Sequence, residues 1–297
     1  MDFQQKFEYY REKVNNEIER IFAEKQCPEK SVYDAMRYSI TAGGKRVRPV
    51  LVMSAGEMLG GNIDDLLKIG VAIECIHTYS LIHDDLPCMD NDDLRRGRLT
   101  CHKKFNEETA LLAGDGLLTY AFELLSDFPA YKMVSAEALL KIISVIAKAS
   151  GCAGMIGGQM VDLENEEKQN VTEEILTYMH NRKTGALIKC AVIAGAIASG
   201  ANQNQIDALS VFADGIGLAF QVQDDILDCT GDVDILGKPI GSDAENKKTT
   251  YVTLLGLESA QQKAEALTQN AINALNVFGD DANFLKNFSQ YLMNRKN

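Results

Sequence analysis

The spacing of apolar residues predicts helices along almost the whole chain. The N-terminal segment illustrates the pattern, since its apolar side chains recur every three or four positions, at Phe3, Phe7, Tyr10, Val14, Ile18 and Phe22. This is the period of one face of an α-helix, and Pro28 ends it. Long alternations of Val, Ile and Thr, which are typical of strands, are nearly absent. The sequence therefore predicts an all-α fold of about ten helices around a central cavity.

Later segments repeat the helical period. Ser31 is the predicted N-cap of the second helix, with Asp34 three residues later in a weak capping box. Further helices are predicted at about 50–59, 64–83, two within 107–151, 172–200, 205–229, 251–278 and 282–294. The chain has only five prolines and no linker-like run, so residues 1–297 are predicted to form one domain.

The charge balance limits the kinds of partner. The chain carries 30 Lys and Arg against 42 Asp and Glu, a net charge of −12. A nucleic-acid partner is therefore not expected. An anionic ligand would need metal ions and a local basic patch to overcome the negative field of the whole molecule.

Cysteine usage and the termini favour a cytoplasmic protein. The seven cysteines form no CxxC pair and are expected to be reduced. A zinc site at Cys88, Cys101 and His102 would match no common zinc motif. The N-terminus is charged throughout, unlike a signal peptide. The longest apolar run, 186–201, contains Lys189 and is too short to span a bilayer.

An acidic cluster ends the predicted helix at 64–83 and is followed by two arginines. It comprises Asp84, Asp85 and Asp90, with Arg95 and Arg96 after them. Carboxylates are unfavourable for the dipole at a helix C-terminus, and such a broken local rule often marks a functional position. Aspartates suit a divalent metal ion, and arginines suit the remaining charge of an anion carried on that metal.

The spacing of this cluster requires the helix to end within it. Asp90 lies six residues after Asp84, which on an ideal helix rotates it by about 120°. Pro87 and the pair Cys88 and Met89 must therefore bulge or leave the helix if the three carboxylates are to converge.

A second acidic cluster lies far downstream, at Asp224, Asp225 and Asp228. Asp224 and Asp228 are one turn apart and about 40° apart in rotation, on one helix face. Like charges in this arrangement repel, which is readily explained only if a cation lies between them. The two clusters together predict a cavity in which they face each other and hold magnesium diphosphate.

Three further segments are open to two interpretations. The segment Gly43–Pro49 contains three cations and forms either an anion clamp or a solvated loop that caps a helix. His77 lies two turns before Asp84, near the cluster, but also suits an ordinary buried position. Lys183, Thr184 and Gly185 predict a helix kink near a ligand, or an ordinary polar turn.

Two glycine-containing segments complete the set of candidates. Gly154–Asp162 is interpreted as close helix packing, with Gln159 and Asp162 near the site. The long polar segment 231–248 carries Lys238 and is typical of a lid or a binding loop.

These motifs together resemble those of a known family. The chain contains, in this order, GGKRVRP, DDLPCMD followed by DDLRRG, KTG, FQVQDDILD, LGK and KKTTY. Over roughly residues 37–255 it resembles the short-chain trans-isoprenyl diphosphate synthases, and most of all the bacterial farnesyl diphosphate synthases. The resemblance implies the isoprenoid synthase fold, usually in a homodimer. It also implies magnesium-dependent head-to-tail condensation of an allylic diphosphate with isopentenyl diphosphate.

The resemblance assigns roles to individual residues. Two magnesium ions would be bound by Asp84, Asp85 and Asp90, and a third by Asp224, Asp225 and Asp228. The allylic diphosphate would be held by Arg95, Lys183 and Lys238. Isopentenyl diphosphate would be bound by Lys45, Arg48, His77 and Arg96. The forming allylic cation would lie along Thr184 and Gln221.

Product length is also open to prediction. Tyr79 lies five residues before Asp84, about 7.5 Å deeper along the helix, and its ring would form a cavity floor. Ser80 is too small for that role. The resemblance therefore implies farnesyl diphosphate as product, with geranylgeranyl diphosphate as the alternative. A floor at Phe122 or Met155 would leave Tyr79 as a core residue.

Three other functions fit less of the sequence. A metal phosphohydrolase of the HD type would use His83 and Asp84, but it needs several His ligands and the chain has only four His. A terpene cyclase would normally lack GGKRxRP and the second cluster, and many are richer in aromatic residues, whereas this chain has no Trp. A non-catalytic partner subunit of a prenyl synthase would be expected to lose carboxylates from one cluster, and both are intact.

Overall fold

The fold was analysed in a computed structural model, which describes residues 1–165, 171–230 and 249–294. These residues contain fourteen α-helical segments. The first eight are α1 (Phe3–Ile21), α2 (Lys30–Ile40), α3 (Val47–Met58), α4 (Ile63–Asp84), α5 (Cys101–Lys104), α6 (Glu107–Ser126), α7 (Ala136–Ser150) and α8 (Met155–Asn165). The other six are α9 (Glu173–His180), α10 (Ala186–Ala198), α11 (Gln203–Thr230), α12 (Tyr251–Leu255), α13 (Leu257–Ala274) and α14 (Asn283–Met293).

Shorter elements connect some of these helices. Two-residue strands β1 (Leu94–Arg95) and β2 (Arg98–Leu99) pair antiparallel as a small hairpin after α4. Short 3₁₀ segments follow α6 and α13, at Phe128–Ala130 and Leu275–Ala282. A five-residue π-helical turn, Asn181–Gly185, joins α9 to α10. The expected all-α class is thus confirmed.

Two local predictions are wrong. Ser31 does not cap α2, because the turn from Cys27 to Lys30 already has helical hydrogen bonding and Glu29 occupies the N-cap position. The predicted helix at 251–278 is broken into α12 and α13 by Gly256, whose φ of 81° is in the left-handed region that favours glycine.

The core is built around α4 and α10, which are apolar on nearly all sides. α4 packs against α3 and α6, and α10 packs against α3, α7 and α11. Helices that are hydrophobic all round are stable only when neighbours cover them, which explains their central position. A second, smaller apolar cluster joins α9, the end of α11, α12 and α13.

One stretch, Ala136–Asn165, is long and apolar enough to cross a membrane by length and composition. It is not one continuous helix, because a turn at 151–154 separates α7 from α8. α7 has 15 residues and α8 has 11. Each is shorter than the roughly 20 residues that a membrane-spanning helix needs.

Candidate active site

The first acidic cluster lies where α4 ends. Asp84 is the last helical residue, and the chain then turns back so that the Asp90 N–H donates to the Asp84 carbonyl at 2.9 Å. The Met89 and Asn91 N–H groups both donate to the Leu86 carbonyl. The prediction that Pro87, Cys88 and Met89 leave the helix is therefore confirmed, and the turn brings Asp90 back beside Asp84.

The environment of Asp84 disfavours its ionised form. Burial raises the pKa of the Asp84 carboxyl to about 6, and the nearby carboxylates of Asp90 and Asp85 add to the increase. Lys183 and Arg95 oppose it. Since burial and like charges both disfavour the ionised form, a cation bound here would relieve the repulsion.

Asp85 and Arg95 form a two-pronged ion pair. The Arg95 guanidinium donates to both carboxylate oxygens of Asp85, with Nη2 at 2.5 Å from Oδ1 and Nε at 2.9 Å from Oδ2. Asp85 is buried, whereas Arg95 remains partly exposed toward the neighbouring cavity. Two predicted site residues of opposite charge therefore lie in direct contact.

The two glycines of the loop before α3 lie against Arg96, which comes from the turn of the hairpin after α4. Gly43 and Gly44 have φ values of 83° and 118°, which favour glycine. A Cβ on Gly44 would lie 2.6 Å from Nη1 of Arg96, and Arg96 also donates to the Gly43 carbonyl. The two glycines therefore allow the backbone to lie directly against this guanidinium.

The three cations of this loop have different roles. Arg46 is buried, pairs with Glu74 at 2.8 Å and donates to the carbonyl of Ile40 at the end of α2. Lys45 and Arg48 line a cavity that Arg46 and Glu74 also border. The helix-capping interpretation thus holds for Arg46, and the anion-clamp interpretation remains for Lys45 and Arg48.

That cavity has a volume of about 550 Å³ and a cationic lining. It brings together all four residues predicted to bind isopentenyl diphosphate, together with Arg95 from the first cluster: Lys45, Arg48, His77 and Arg96. Burial lowers the pKa of His77 well below its usual value, and the positive charges of Arg48 and Arg96 add to this. Burial also lowers the pKa of Arg48, to about 10.

The π-helical turn places Lys183 against α8. A Cβ on Gly158 would lie 2.2 Å from the Lys183 backbone nitrogen, so the close approach requires glycine. Lys183 Nζ pairs with the Asp162 carboxylate at 2.6 Å. The predicted irregularity at Lys183 to Gly185 is present as a π-helical turn. The packing interpretation of the glycine-rich segment and the position of Asp162 near the site are confirmed.

A chain of hydrogen bonds links this turn to the second acidic cluster. The Thr184 hydroxyl donates to Gln221 Oε1 at 2.6 Å, and Gln221 Nε2 donates to Asp224 Oδ2 at 3.1 Å. The two residues predicted to line the allylic cation are thus in direct contact. Their shared network also orients one carboxylate of the second cluster.

The carboxylates of the second cluster differ in their surroundings. Asp225 is buried, and its Oδ2 accepts the backbone N–H of Tyr251 at 2.7 Å, which ties α12 to α11. Asp224 and Asp228 are less buried and lie one helical turn apart. A metal-binding role for the three aspartates stays a prediction.

A second cavity, of about 600 Å³, lies beside the first cluster and has mainly apolar walls. It meets the cationic cavity at Arg48 and His77, which line both. Tyr79 lies in its wall, only 6% exposed, and its hydroxyl has no hydrogen-bond partner. Ser80 and Met155 also line this cavity. The structure is thus compatible with a floor at Tyr79 or at Met155.

Two acidic partners were not recognised in the sequence as partners of site cations. Glu74 holds Arg46, and Asp162 holds Lys183. The sequence did indicate that Glu74 needs a buried partner, because it is the only charged residue in the otherwise apolar stretch 69–76. Asp162 was predicted to lie near the site, but its pairing with Lys183 was not predicted, because the two residues are distant in sequence.

Some predictions concern residues or ions that the structure does not test. Lys238 lies outside the described residues, so its contact with the allylic diphosphate stays a prediction. Within residues 1–165, 171–230 and 249–294, no three His, Cys, Asp or Glu side chains form a ready-made metal centre. The oxygen donors of Asp84, Asp85 and Asp90 nevertheless suit a hard divalent cation.

Comparisons with known proteins agree with this geometry. Residues 29–285 match the profile of the family described as "Polyprenyl synthetase". A farnesyl diphosphate synthase of Escherichia coli is 45% identical over 299 residues, which cover 99% of each chain. A geranylgeranyl diphosphate synthase of Cyanophora paradoxa is 42% identical, over 90% of this chain and 88% of the other.

The fold also matches a solved structure. A geranyltransferase from Legionella pneumophila superposes with a TM-score of 0.88 and 36% sequence identity. The match covers 99% of this chain and 97% of the other. The sequence and the backbone therefore point to the same group of proteins.

Proposed function

The chain belongs to the polyprenyl synthetase family, and from this premise we propose that it condenses isopentenyl diphosphate with dimethylallyl and geranyl diphosphate to give farnesyl diphosphate and diphosphate. One observation carries the proposal. A cationic cavity and an apolar cavity meet at Arg48 and His77, beside the carboxylate of Asp84. An isoprenoid diphosphate has the same two parts, an anionic head and an apolar tail.

The carboxylate clusters supply the ligands that this chemistry needs. About three Mg²⁺ ions are proposed, by analogy with the family, on oxygen atoms of Asp84, Asp85, Asp90, Asp224, Asp225 and Asp228. Bound Mg²⁺ supplies positive charge that stabilises the diphosphate as it leaves. Burial, together with the nearby carboxylates of Asp90 and Asp85, raises the pKa of Asp84, and this supports cation binding at the first cluster.

The protein's own cations hold the two substrates in different places. Arg95 and Lys183, together with Lys238, bind the allylic diphosphate and stabilise its charge as the carbon–oxygen bond breaks. The isopentenyl diphosphate occupies the cationic cavity, bound by Lys45, Arg48, His77 and Arg96. The His77 ring lines this cavity and is proposed to donate a hydrogen bond from its ring N–H to the diphosphate.

The carbon–carbon bond then forms at the boundary of the two cavities. The oxygen atoms of Thr184 and Gln221 lie beside the allylic cation and stabilise it by their partial negative charge. Apolar walls exclude water, which would otherwise trap the cation as an alcohol. The isopentenyl double bond attacks the cation, and the departing diphosphate takes the proton that is lost when the new double bond forms.

Product length is set at the deep end of the apolar cavity. The buried ring of Tyr79 lies across the path of the growing chain and favours the farnesyl product. Geranylgeranyl diphosphate is the second candidate, since a synthase of that product is 42% identical. A non-catalytic partner subunit is the candidate from another functional class.

The protein is further proposed to be a cytoplasmic homodimer that folds as one domain over residues 1–297. Helices α6 and α7 expose the large apolar side chains of Leu112 and Leu140, which a second copy would cover. Light scattering coupled to size-exclusion chromatography tests this, because a monomer of 32.7 kDa and a dimer are well separated in mass.

Product analysis tests the activity. The purified chain is incubated with labelled isopentenyl diphosphate, dimethylallyl diphosphate and Mg²⁺, and the products are dephosphorylated and separated as alcohols. Farnesol is the expected main product. Geranylgeraniol would keep the chemistry and reject Tyr79 as the floor, whereas no condensation would reject the enzyme and favour the partner subunit.

A further inference from the structure

The side chain of His83, near the end of α4, packs against α6. Its Nε2 donates to the carbonyl of Leu111 on α6 at 3.0 Å. The ring fits there only because position 114 is glycine, since a Cβ on Gly114 would lie 2.1 Å from Nε2. The hydrogen bond and the missing side chain together fix the ring against α6.

The other side of this ring contacts the proposed floor. The rings of Tyr79 and His83 are 5.7 Å apart and meet edge to face at 79°. The two residues are one turn apart on α4, on the same face, and both line the apolar cavity. The buried hydroxyl of Tyr79 has no hydrogen-bond partner. The orientation of the Tyr79 ring therefore depends on packing, and His83 supplies an aromatic contact on one side.

We propose that His83 is a positioning residue for product length, which braces Tyr79 across the deep end of the cavity. This inference rests on the proposed prenyltransferase function and adds a specificity determinant to it. The chain of contacts runs from the Leu111 carbonyl through the His83 ring to the Tyr79 ring. Without the brace, the Tyr79 ring turns aside more often and a longer product grows past it.

A double-mutant cycle tests whether His83 acts through Tyr79. The ratio of geranylgeraniol to farnesol is measured for the wild type, His83→Ala, Tyr79→Ala and the double variant at equal substrate and Mg²⁺ concentrations. His83→Ala is expected to raise the ratio about two- to tenfold, the range of an aromatic edge contact. Tyr79→Ala is expected to raise it further, and the double variant to match Tyr79→Ala alone.

Several outcomes would overturn the inference. An unchanged ratio in His83→Ala, or independent and additive effects in the double variant, would contradict a role through Tyr79. These results differ from failure of the proposed function, in which the wild type itself would form no condensation product. That last result would overturn the function and, with it, the inference.

A conservative variant covers the case in which His83→Ala does not fold. His83→Gln keeps an N–H donor for the Leu111 carbonyl but removes the aromatic ring. The product ratio is expected to rise while the thermal unfolding temperature stays close to that of the wild type. A wild-type ratio in a folded His83→Gln variant would show that the ring does not brace Tyr79.

Two glycines on α6 provide a matched pair of controls. Gly114→Ala places a methyl group against His83 and is expected to push the ring into the cavity, which shortens the product and raises the share of geraniol. Gly116→Ala on the same helix meets the flexible side chain of Met36 instead. Its product ratio is expected to remain that of the wild type, and equal ratios for the two variants would contradict the proposal.

Discussion

The two acidic clusters use the same residue type but are built differently. The first forms where α4 ends, and a turn returns Asp90 to the side of Asp84. The second lies on the continuous helix α11, where helical periodicity alone puts Asp224 and Asp228 on one face. The first therefore depends on a local turn and on the pair between Asp85 and Arg95, whereas the second depends on the regular helical geometry of α11.

The carboxylates of the two clusters also differ in their surroundings. In the first cluster, Asp84 is held in an environment that disfavours its charge, as expected for a proposed metal ligand. In the second, Asp225 accepts a hydrogen bond from the Tyr251 N–H and so joins α11 to α12. Adjacent aspartates in one motif therefore need not have the same role.

The largest effect is expected at the first cluster. Asp84→Asn removes a carboxylate that is proposed to bind metal, and kcat is expected to fall by about a hundred- to a thousandfold. Asp93→Asn is the matched control, because Asp93 lies in the same acidic segment, is exposed and forms a surface ion pair with Lys103. Steady-state kinetics over a range of Mg²⁺ concentrations measures both, and equal rates for the two variants would contradict a metal-binding role for Asp84.

The next effect distinguishes two neighbours in the second cluster. Asp225→Ala leaves the buried Tyr251 N–H without its acceptor and is expected to lower the free energy of unfolding by about 1–3 kcal/mol. Asp224→Ala is expected to lower kcat while the unfolding free energy changes less. Urea denaturation followed by circular dichroism gives the unfolding free energies. A stability loss confined to Asp224→Ala would reverse the assignment.

A smaller effect is expected from the link between the π-helical turn and α11. Thr184→Val keeps the shape of the side chain but removes the donor to Gln221, and kcat is expected to fall about tenfold. Thr184→Ser retains the hydroxyl and is the control. If the valine and serine variants had the same kcat, the hydroxyl would have no part in orienting Gln221 and Asp224.

The last prediction concerns the pH dependence of stability. It applies to α4, which carries His77, and has no counterpart on α11, which contains no histidine. Burial holds the pKa of His77 well below its usual value, with guanidinium groups facing it from Arg48, Arg96, Arg95 and Arg46. Below about pH 6.5 the unfolded chain binds a proton that the folded chain does not, so the stability contribution present above that pH is lost as pH falls.

The corresponding measurement compares urea unfolding of the wild type and His77→Asn between pH 7 and pH 5. The wild type is expected to lose up to about 1.4 kcal/mol more per pH unit below pH 6.5 than the variant, which lacks this proton-binding site. Parallel stability curves for the two proteins would show that His77 has the same pKa in both states.

Much of the fold and of the candidate site followed from local patterns in the sequence. The 3.6-residue period of the apolar residues predicted the all-α class, because this spacing places them on one face of a helix, the face that packs against the core. The six-residue spacing from Asp84 to Asp90 required a turn, and Gly185 after Lys183 and Thr184 predicted an irregularity that is present as a π-helical turn. These features depend on backbone geometry over a few residues.

Tertiary structure alone decided which of several similar residues faces the site. Arg46 is buried and pairs with Glu74, whereas Lys45 and Arg48 line the same cavity and are less buried. Asp225 is buried, while Asp224 accepts a hydrogen bond from Gln221. The pair between Asp162 and Lys183 and the brace of His83 against α6 also join distant segments. The charge and spacing of these residues can be read from the sequence. Their burial and their partners depend on how the helices pack, which one segment alone does not specify.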